Sequence, residues 1–158
     1  MINDVVSIVS VLISLVATVF AAVGLTQSKK YNKLCLERQR KEATIYAYQT
    51  LQEQVLDNLV KIDSKEIFDI VECMDDSIEF TEIYNEYRPL IARCEHFAVG
   101  VNNNIYDFSV LLELSGIHLV NLYAKLKPII LCSRKADDGK HAFKNFERLV
   151  DKLKKEVN

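Results

Sequence analysis

The sequence predicts an all-α protein in which a single N-terminal transmembrane helix is followed by an irregular bundle of about five or six helices. Three observations lead to this fold class. Glycine and proline number only 4 and 2 among 158 residues, about a third of average usage, so turns are scarce. Residues 5–25 carry no charge, and 16 of these 21 residues are apolar. Elsewhere, apolar residues recur at steps of three and four, which is the period of an amphipathic helix.

The apolar run from Val5 to Leu25 has the length and composition of a membrane span. As a helix it is about 31 Å long, which matches the hydrocarbon core of a bilayer. Its 13 Val, Ile, Leu and Phe residues favour insertion by roughly 4 to 8 kcal/mol before the penalties of Ser, Thr and Gly. A cleaved signal peptide is the alternative, but it would need a basic start and a shorter apolar core. We therefore expect a retained anchor.

Basic residues follow the apolar run and predict the orientation of the chain. Residues 26–42 hold six basic residues against two acidic ones, whereas Asp4 is the charge on the other flank. Basic flanks stay in the cytoplasm, so we expect an inner-membrane protein with its N-terminus outside and its C-terminal domain cytoplasmic. Four widely spaced cysteines, without a CxxC pair, agree with a reducing compartment. The basic juxtamembrane residues are Lys29, Lys30, Lys33, Arg38, Arg40 and Lys41.

Small residues within the span lie on one helical seam, which predicts self-association. They step by three and four, and small residues let helices approach closely in lipid, where apolar burial does not drive association. The seam consists of Ser7, Ser10, Ser14, Ala17, Ala21 and Gly24. We therefore expect membrane lipid and further copies of the chain as partners. In a higher oligomer the same serines would line a narrow pore.

The chain divides into an N-terminal tail and span at residues 1–25, a basic juxtamembrane helix at 26–42 and a helical cytoplasmic domain at 43–158. No glycine or proline occurs from Thr26 to Arg88, so helix can run far beyond the bilayer. Sequences of the capping-box type begin at Asp63 and Asp76 and predict new helix starts. The second of these opens an apolar face that continues to Phe97.

Glycines and prolines divide the second half of the cytoplasmic domain. Gly100, followed by three asparagines, predicts a helix end and a turn. Asp107 or Ser109 is expected to cap a short helix that breaks near Gly116. Pro128 should kink the next helix or mark a restart. The remaining signals are a loop at residues 136–139 and an amphipathic last helix at residues 143–157.

Charge is arranged in blocks along the cytoplasmic domain. Residues 43–95 hold 12 acidic and 4 basic side chains, and residues 124–158 hold 10 basic and 5 acidic ones. These blocks predict solvated faces, or a basic last helix that lies, together with the basic stretch after the span, close to the anionic inner leaflet. The acidic middle and the lack of a basic-aromatic groove argue against nucleic-acid binding.

Residues with catalytic potential do not form a recognisable set. No HExxH, GxGxxG, GxxxxGK[ST] or GxSxG string occurs. Cys94 and His96 are two residues apart, which places them on different helix faces. We expect no enzymatic activity, no cofactor and no metal site.

One stretch carries a family resemblance. The segment from Arg93 to Pro128 contains E-x-x-A-x-G-V, then I-Y-D, then a helix expected to be broken by glycine, then Y-x-x-L-K-P. This order resembles an uncharacterised bacterial family of domains of unknown function. The resemblance implies one N-terminal span followed by a helical cytoplasmic part, and it implies no established activity.

Arg93, Glu95 and Asp107 lie in this stretch and are candidates for a polar core or a ligand contact, because a buried carboxylate needs a partner. We interpret them first as a polar link between the two central helices. The expected function is a membrane-anchored interaction module, a scaffold or sensor, that holds a cytoplasmic protein partner whose identity the sequence does not indicate. The alternative is a small membrane effector, toxin-like or phage-defence in type, whose assembled spans perturb the bilayer.

Overall fold

The structure of the chain is a computed structural model, which describes residues 2–56, 78–134 and 141–157. Within these ranges the chain forms four α-helices and one π-helical turn, and no strand. This confirms the predicted all-α class, with about five helices. In chain order they are α1 (Ile2–Leu51) with its π-helical continuation Gln52–Leu56, α2 (Ile78–Asn102), α3 (Phe108–Ser133) and α4 (Lys144–Val157). The capping sequences at 63 and 76 and the loop at 136–139 lie outside the described residues.

The chain separates into two compact units, Met1–Gln39 and Arg40–Asn158. The first unit consists of α1 up to Gln39, and its described large apolar side chains are exposed, with Phe20 at 73%. This helix is long and apolar enough to cross a membrane, and none of its apolar window is buried. The Thr18 hydroxyl donates to the Ser14 carbonyl at 2.8 Å, so this polar group is satisfied inside the helix.

The second unit is a helical bundle centred on α4. One face of this helix is fully buried and packs against both α2 and α3. The buried residues of α4 are Phe146, Leu149, Val150 and Leu153, at the spacing expected for one amphipathic face. They share one hydrophobic core with Ile91 of α2 and with Leu119 and Leu126 of α3, all of which are fully buried. The end of α1 adds Tyr48 and Leu51 to the same core.

The start of α4 is defined by an unusual backbone conformation. Phe143, directly before the helix, has a φ of 57° in the left-handed region, which is unfavourable for a bulky residue. Its half-buried ring packs against the core, and this burial offsets the backbone energy. The predicted last helix is therefore present, but Phe143 precedes it instead of occupying its first turn.

Gly100 lets the chain fold back tightly at the end of α2. Its carbonyl accepts hydrogen bonds from the backbone N–H groups of Ile105 (2.9 Å) and Tyr106 (3.1 Å). The Tyr106 ring then lies against the glycine and stacks on Phe97, with a centroid separation of 5.4 Å. The predicted helix end is found close to Gly100, at Asn102, and the left-handed residue of the turn is Asn104.

The expected helix break near Gly116 is wrong, because α3 runs without interruption from Phe108 to Ser133. Gly116 is buried, and Leu111 and Leu119 on either side of it are fully buried. Burial of several such side chains, at about 1.5–3 kcal/mol each, outweighs the helix penalty of one glycine, about 1 kcal/mol. The helix also continues through Pro128 instead of restarting there. Ala124, whose carbonyl loses its helical donor to this proline, is exposed to water.

We expect Gly100→Ala to lower the free energy of unfolding by about 1–3 kcal/mol, because a Cβ at this position would overlap the Tyr106 ring. Denaturant unfolding of the detergent-solubilised full chain measures this change. Gly24→Ala is the matched control, since a Cβ at Gly24 meets no atom within 4 Å. In a Tyr106→Ala background the Gly100 substitution should cost nothing further. A loss that persists in that background would contradict the overlap.

Candidate functional site

The predicted seam residues lie on an exposed helix surface. Ser10, Ser14, Ala17, Ala21 and Gly24 are all exposed on α1, and the side chain of Ser7 lies outside the described set. The basic residues that follow are exposed, apart from Arg40, which is half-buried. The exposed basic residues are Lys29, Lys30, Lys33, Arg38 and Lys41. Among the described side chains of this unit, none covers the seam.

A polar junction joins α1 to the start of α3 within the bundle. The fully buried Thr44 hydroxyl donates to the Arg40 carbonyl at 2.7 Å and accepts from the backbone N–H of Asp107, also at 2.7 Å. Asp107 is the N-cap of α3, and its Oδ1 accepts from the backbone N–H groups of Ser109 (3.0 Å) and Val110 (3.3 Å). Asp107 Oδ2 pairs with Arg40 Nη2 at 3.3 Å. Of the two expected caps for this helix, the structure selects Asp107.

The environment of Asp107 favours its charged form. The Ser109 hydroxyl donates to Oδ1 at 2.6 Å and is the main cause that lowers the pKa of this carboxyl below its usual range. The Val110 N–H, Arg40 and the Ser109 N–H lower the pKa further, against an opposing effect of burial. Asp107 is therefore an ionised helix cap and an ion-pair partner at the same time.

A second carboxylate caps a helix from a distance. Glu95, on α2, accepts the backbone N–H of Asn145 at 3.0 Å through Oε1 and that of Phe146 at 2.7 Å through Oε2. The Asn145 side-chain amide also donates to Oε1, at 2.8 Å. These N–H groups belong to the first turn of α4, where helical geometry leaves donors without acceptors and favours negative charge. Glu95 thereby sets where α4 begins against α2.

A third polar link holds α3 to α4. The Tyr123 hydroxyl donates to Glu147 Oε1 at 2.9 Å, and Arg134 Nη2 lies 3.0 Å from Glu147 Oε2. Arg134 Nε also donates to the Ala142 carbonyl at 2.9 Å. The Arg134 guanidinium lowers the pKa of the Glu147 carboxyl, while burial and then the bond to Glu147 raise the pKa of the Tyr123 hydroxyl. This link anchors the residues before α4 to the end of α3.

An open cleft of about 340 Å³ lies beside Arg93. Arg93 Nη1 donates to Gln54 Oε1, which connects α2 to the π-helical turn after α1. The remaining walls are aromatic, polar and aliphatic side chains, namely Tyr46, Ala47, Thr50, Leu51, His96, Phe97 and Tyr106. No pair of these residues forms a nucleophile–base contact in the part of the chain that the structure describes.

Cys94, next to Arg93 in the sequence, adds no reactive nucleophile to the cleft. Cys94 points into the core, and burial raises the pKa of its thiol to about 12, so it is not a thiolate at neutral pH. His96, two residues on, is exposed. In residues 2–56, 78–134 and 141–157, no group of three His, Cys, Asp or Glu side chains is placed to hold a metal ion.

Arg93, Glu95 and Asp107 do not meet in one cluster. Each contacts a different element: Arg93 bonds Gln54, Glu95 bonds the start of α4, and Asp107 bonds the end region of α1. Sequence reasoning missed Thr44, Tyr123, Arg134, Asn145 and Glu147 as members of these links. Thr44, a weak helix former within a long helix, was the one residue whose type could have drawn attention.

The fold is that of an all-α protein with one long apolar N-terminal helix and a bundle whose helices are joined by hydrogen bonds and ion pairs. The chain belongs to the family described as Domain of unknown function (DUF4760), which it matches over residues 8–153. This match extends across the apolar part of α1 and nearly all of the bundle. Comparison with curated proteins and with solved structures finds no match in either set.

We expect Asp107→Asn to lower the free energy of unfolding by about 1–2 kcal/mol at neutral pH, because the cap and the Arg40 pair are both weakened. The folded-state pKa of Asp107 is lowered, so its stabilising effect is complete above the unfolded-state pKa of about 3.9 and is lost as the pH falls through the folded value. The destabilisation caused by Asp107→Asn should therefore be smaller at about pH 3 than at neutral pH. Thermal unfolding of the full chain at both pH values tests this.

Asp151→Asn, at an exposed position on α4, is the matched control for this pH series. It should leave unfolding within about 0.5 kcal/mol of the native chain. A destabilisation by Asp107→Asn that is equal at neutral and acidic pH would contradict the role of the ionised carboxylate.

Glu95→Ala should cost about 1–3 kcal/mol, because the N–H groups of Asn145 and Phe146 lose their acceptor. Glu95→Gln keeps one acceptor oxygen and should lose less. Hydrogen exchange should accelerate first in the opening turn of α4 in the alanine variant. Glu86→Ala, exposed on the same helix, is the control. Unchanged exchange in α4 would refute the cap.

Proposed function

We propose that this chain is a single-pass membrane protein whose helical bundle is a non-enzymatic interaction module, a scaffold or sensor held at the cytoplasmic membrane. The observation that carries the proposal is the apolar part of α1, whose described large side chains are exposed. Exposed apolar surface of this length is unfavourable in water and favourable in lipid. The Thr18 hydroxyl is also compatible with lipid, because it donates its hydrogen bond to the helix backbone.

The orientation follows from the exposed basic residues after the apolar segment. Lys29, Lys30 and Lys33 are exposed, so they can meet anionic headgroups on the cytoplasmic side. We therefore place the N-terminus outside and the bundle in the cytoplasm. A cytoplasmic protein is the partner class that such a bundle would hold.

Self-association through the seam is part of the same proposal. Its described members, from Ser10 to Gly24, are exposed along one face of α1, and a Cβ at Gly24 would meet nothing within 4 Å. A second copy of the helix can therefore approach closely along this face. Two such faces in contact would form a dimer of spans.

The experiment expresses the full chain with single cysteines placed along α1, washes the membranes with carbonate and oxidises them. We expect the chain in the washed membranes, with cross-linked dimers at positions 10, 14, 17 and 21. Val11→Cys, Leu15→Cys and Val19→Cys, which lie off the seam, are the matched controls. Recovery in the carbonate supernatant, or equal cross-linking at all positions, would overturn the proposal.

The fluorescence of a membrane-potential dye, followed while expression is induced, tests whether the chain is a scaffold and not a membrane effector. A scaffold leaves the potential and growth unchanged at expression levels that saturate the cross-link. Collapse of the potential, lost on Ser14→Leu, would replace the scaffold with an effector whose assembled spans perturb the bilayer.

A further inference from the structure

The cleft beside Arg93 differs in charge from the part of the chain that forms it. Residues 43–95, which supply most of its walls, hold 12 acidic and 4 basic side chains. Of the nine described residues that line the cleft, none is acidic, whereas Arg93 is a cation and His96 can become one. This distribution of charge favours an anionic ligand over a neutral or cationic one.

Arg93 and His96 lie on the same side of α2, three positions apart, and both are exposed. Residues at this spacing are neighbours on a helix surface, with Cβ atoms about 5–6 Å apart, so one anionic group can contact both. Arg93 Nη1 donates to Gln54 Oε1, which fixes the side chain at the wall of the cleft. A guanidinium has several donors, so this one bond does not exhaust it, and its planar shape suits the paired oxygens of a carboxylate or a phosphate.

The apolar part of the cleft consists largely of aromatic rings that are already ordered. Phe97 is buried, and the Tyr106 ring stacks on it with an interplanar angle of 22°. The hydrogen bonds of the turn to the Gly100 carbonyl hold Tyr106 in this position. Tyr46, on α1, adds a ring that is 74% exposed. Flat walls that need no rearrangement favour a flat aromatic ring in the ligand.

We propose that this cleft binds a small aromatic anion, a ring that carries a carboxylate or a phosphate group. The ring packs against Tyr46 and Tyr106, and Arg93 and His96 bind the anionic group. The volume of about 340 Å³ lies at the lower end of the range for small-molecule sites, which is about 300–1,000 Å³. The cleft therefore has room for one ring system with its substituent, and not for a large cofactor.

A ligand site of this kind goes beyond the proposed function, because it gives the bundle a small molecule to bind. Every residue that lines the cleft belongs to the second unit, Arg40–Asn158, so binding does not depend on the membrane anchor. The walls come from the end of α1 and from α2, and a bound ligand contacts both. Binding therefore stabilises the packing of these two helices in proportion to occupancy.

The test titrates the detergent-solubilised full chain with phenyl phosphate and with benzoate and follows the NMR signal of the His96 imidazole. Glutamine replaces His118 and His141, which are exposed, so that His96 is the one histidine left. We expect a saturable shift with a dissociation constant on the order of 1 mM, as ligands of about ten non-hydrogen atoms give. Inorganic phosphate, which lacks the ring, and benzyl alcohol, which lacks the charge, are the matched probes. Each should bind at least about tenfold more weakly.

Variants in the same background test the role of the cation. Arg93→Gln should weaken the binding of phenyl phosphate by about tenfold or more, because a charge-assisted hydrogen bond is lost, and should not change the binding of benzyl alcohol. The unchanged binding of the neutral probe shows that the cleft is still folded. Gln54→Ala removes the contact of Arg93 but keeps its charge, so it should weaken binding less. Arg148→Gln, at an exposed position on α4, is the matched control and should bind like the parent chain.

Three results would overturn the proposal. If no probe shifts the His96 signal, the cleft is not a ligand site, and solvent or another part of the chain fills it. If benzyl alcohol binds as tightly as phenyl phosphate, or if Arg93→Gln binds phenyl phosphate undiminished, the cleft does not recognise an anion. If inorganic phosphate binds as tightly as phenyl phosphate, the ring has no role. Cross-linking along the span seam involves no residue of the cleft, so a failure here leaves the proposed function standing, and the reverse also holds.

Discussion

Two backbone N–H groups in the first turn of α4 have no acceptor within their own helix, and Glu95 supplies one from α2. The arrangement of the bundle depends on this contact. Helix α4 is the element that packs against both α2 and α3, and four of its residues are fully buried. A shift of its starting residue would rotate that buried face away from the core. Phe143, held in a left-handed conformation immediately before the helix, is tolerated because the cap and the packing both require the helix to begin there.

The start of α3 is controlled in the same way, but by a residue close in sequence. Asp107 caps its own helix, and its backbone and second carboxylate oxygen also bind Thr44 and Arg40 of α1. Helix α1 therefore cannot turn about its axis at this level without breaking both bonds. Arg40 and Thr44 belong to the second unit, so the junction fixes this part of α1 within the bundle.

Most of the fold class was predictable because it follows from composition and periodicity. Scarce glycine and proline, the uninterrupted apolar run and the three-and-four spacing of Phe146, Val150 and Leu153 all act locally along a helix. The interruption expected at Gly116 was wrong, since a local helix penalty does not include the burial of Leu111 and Leu119. For the candidate site, sequence reasoning named Glu95 and Asp107 as carboxylates that need partners, but it could not name Asn145, Thr44 or Tyr123 as part of those links. Each contact joins residues that are 24 to 63 positions apart.

The sequence alone determined what depends on neighbouring residues: helical structure, an apolar segment long enough for a membrane, the end of α2 near Gly100 and the cap of α3 at one of two polar residues. The tertiary structure decided which of those two residues is the cap, which helix is central and which polar groups meet. It also showed that Leu114, Ile117 and Leu131 of α3 are exposed among the described residues. The physical reason is that helix propensity and capping act over one or two turns. Burial and partner choice, by contrast, depend on which distant segments the folded chain brings together.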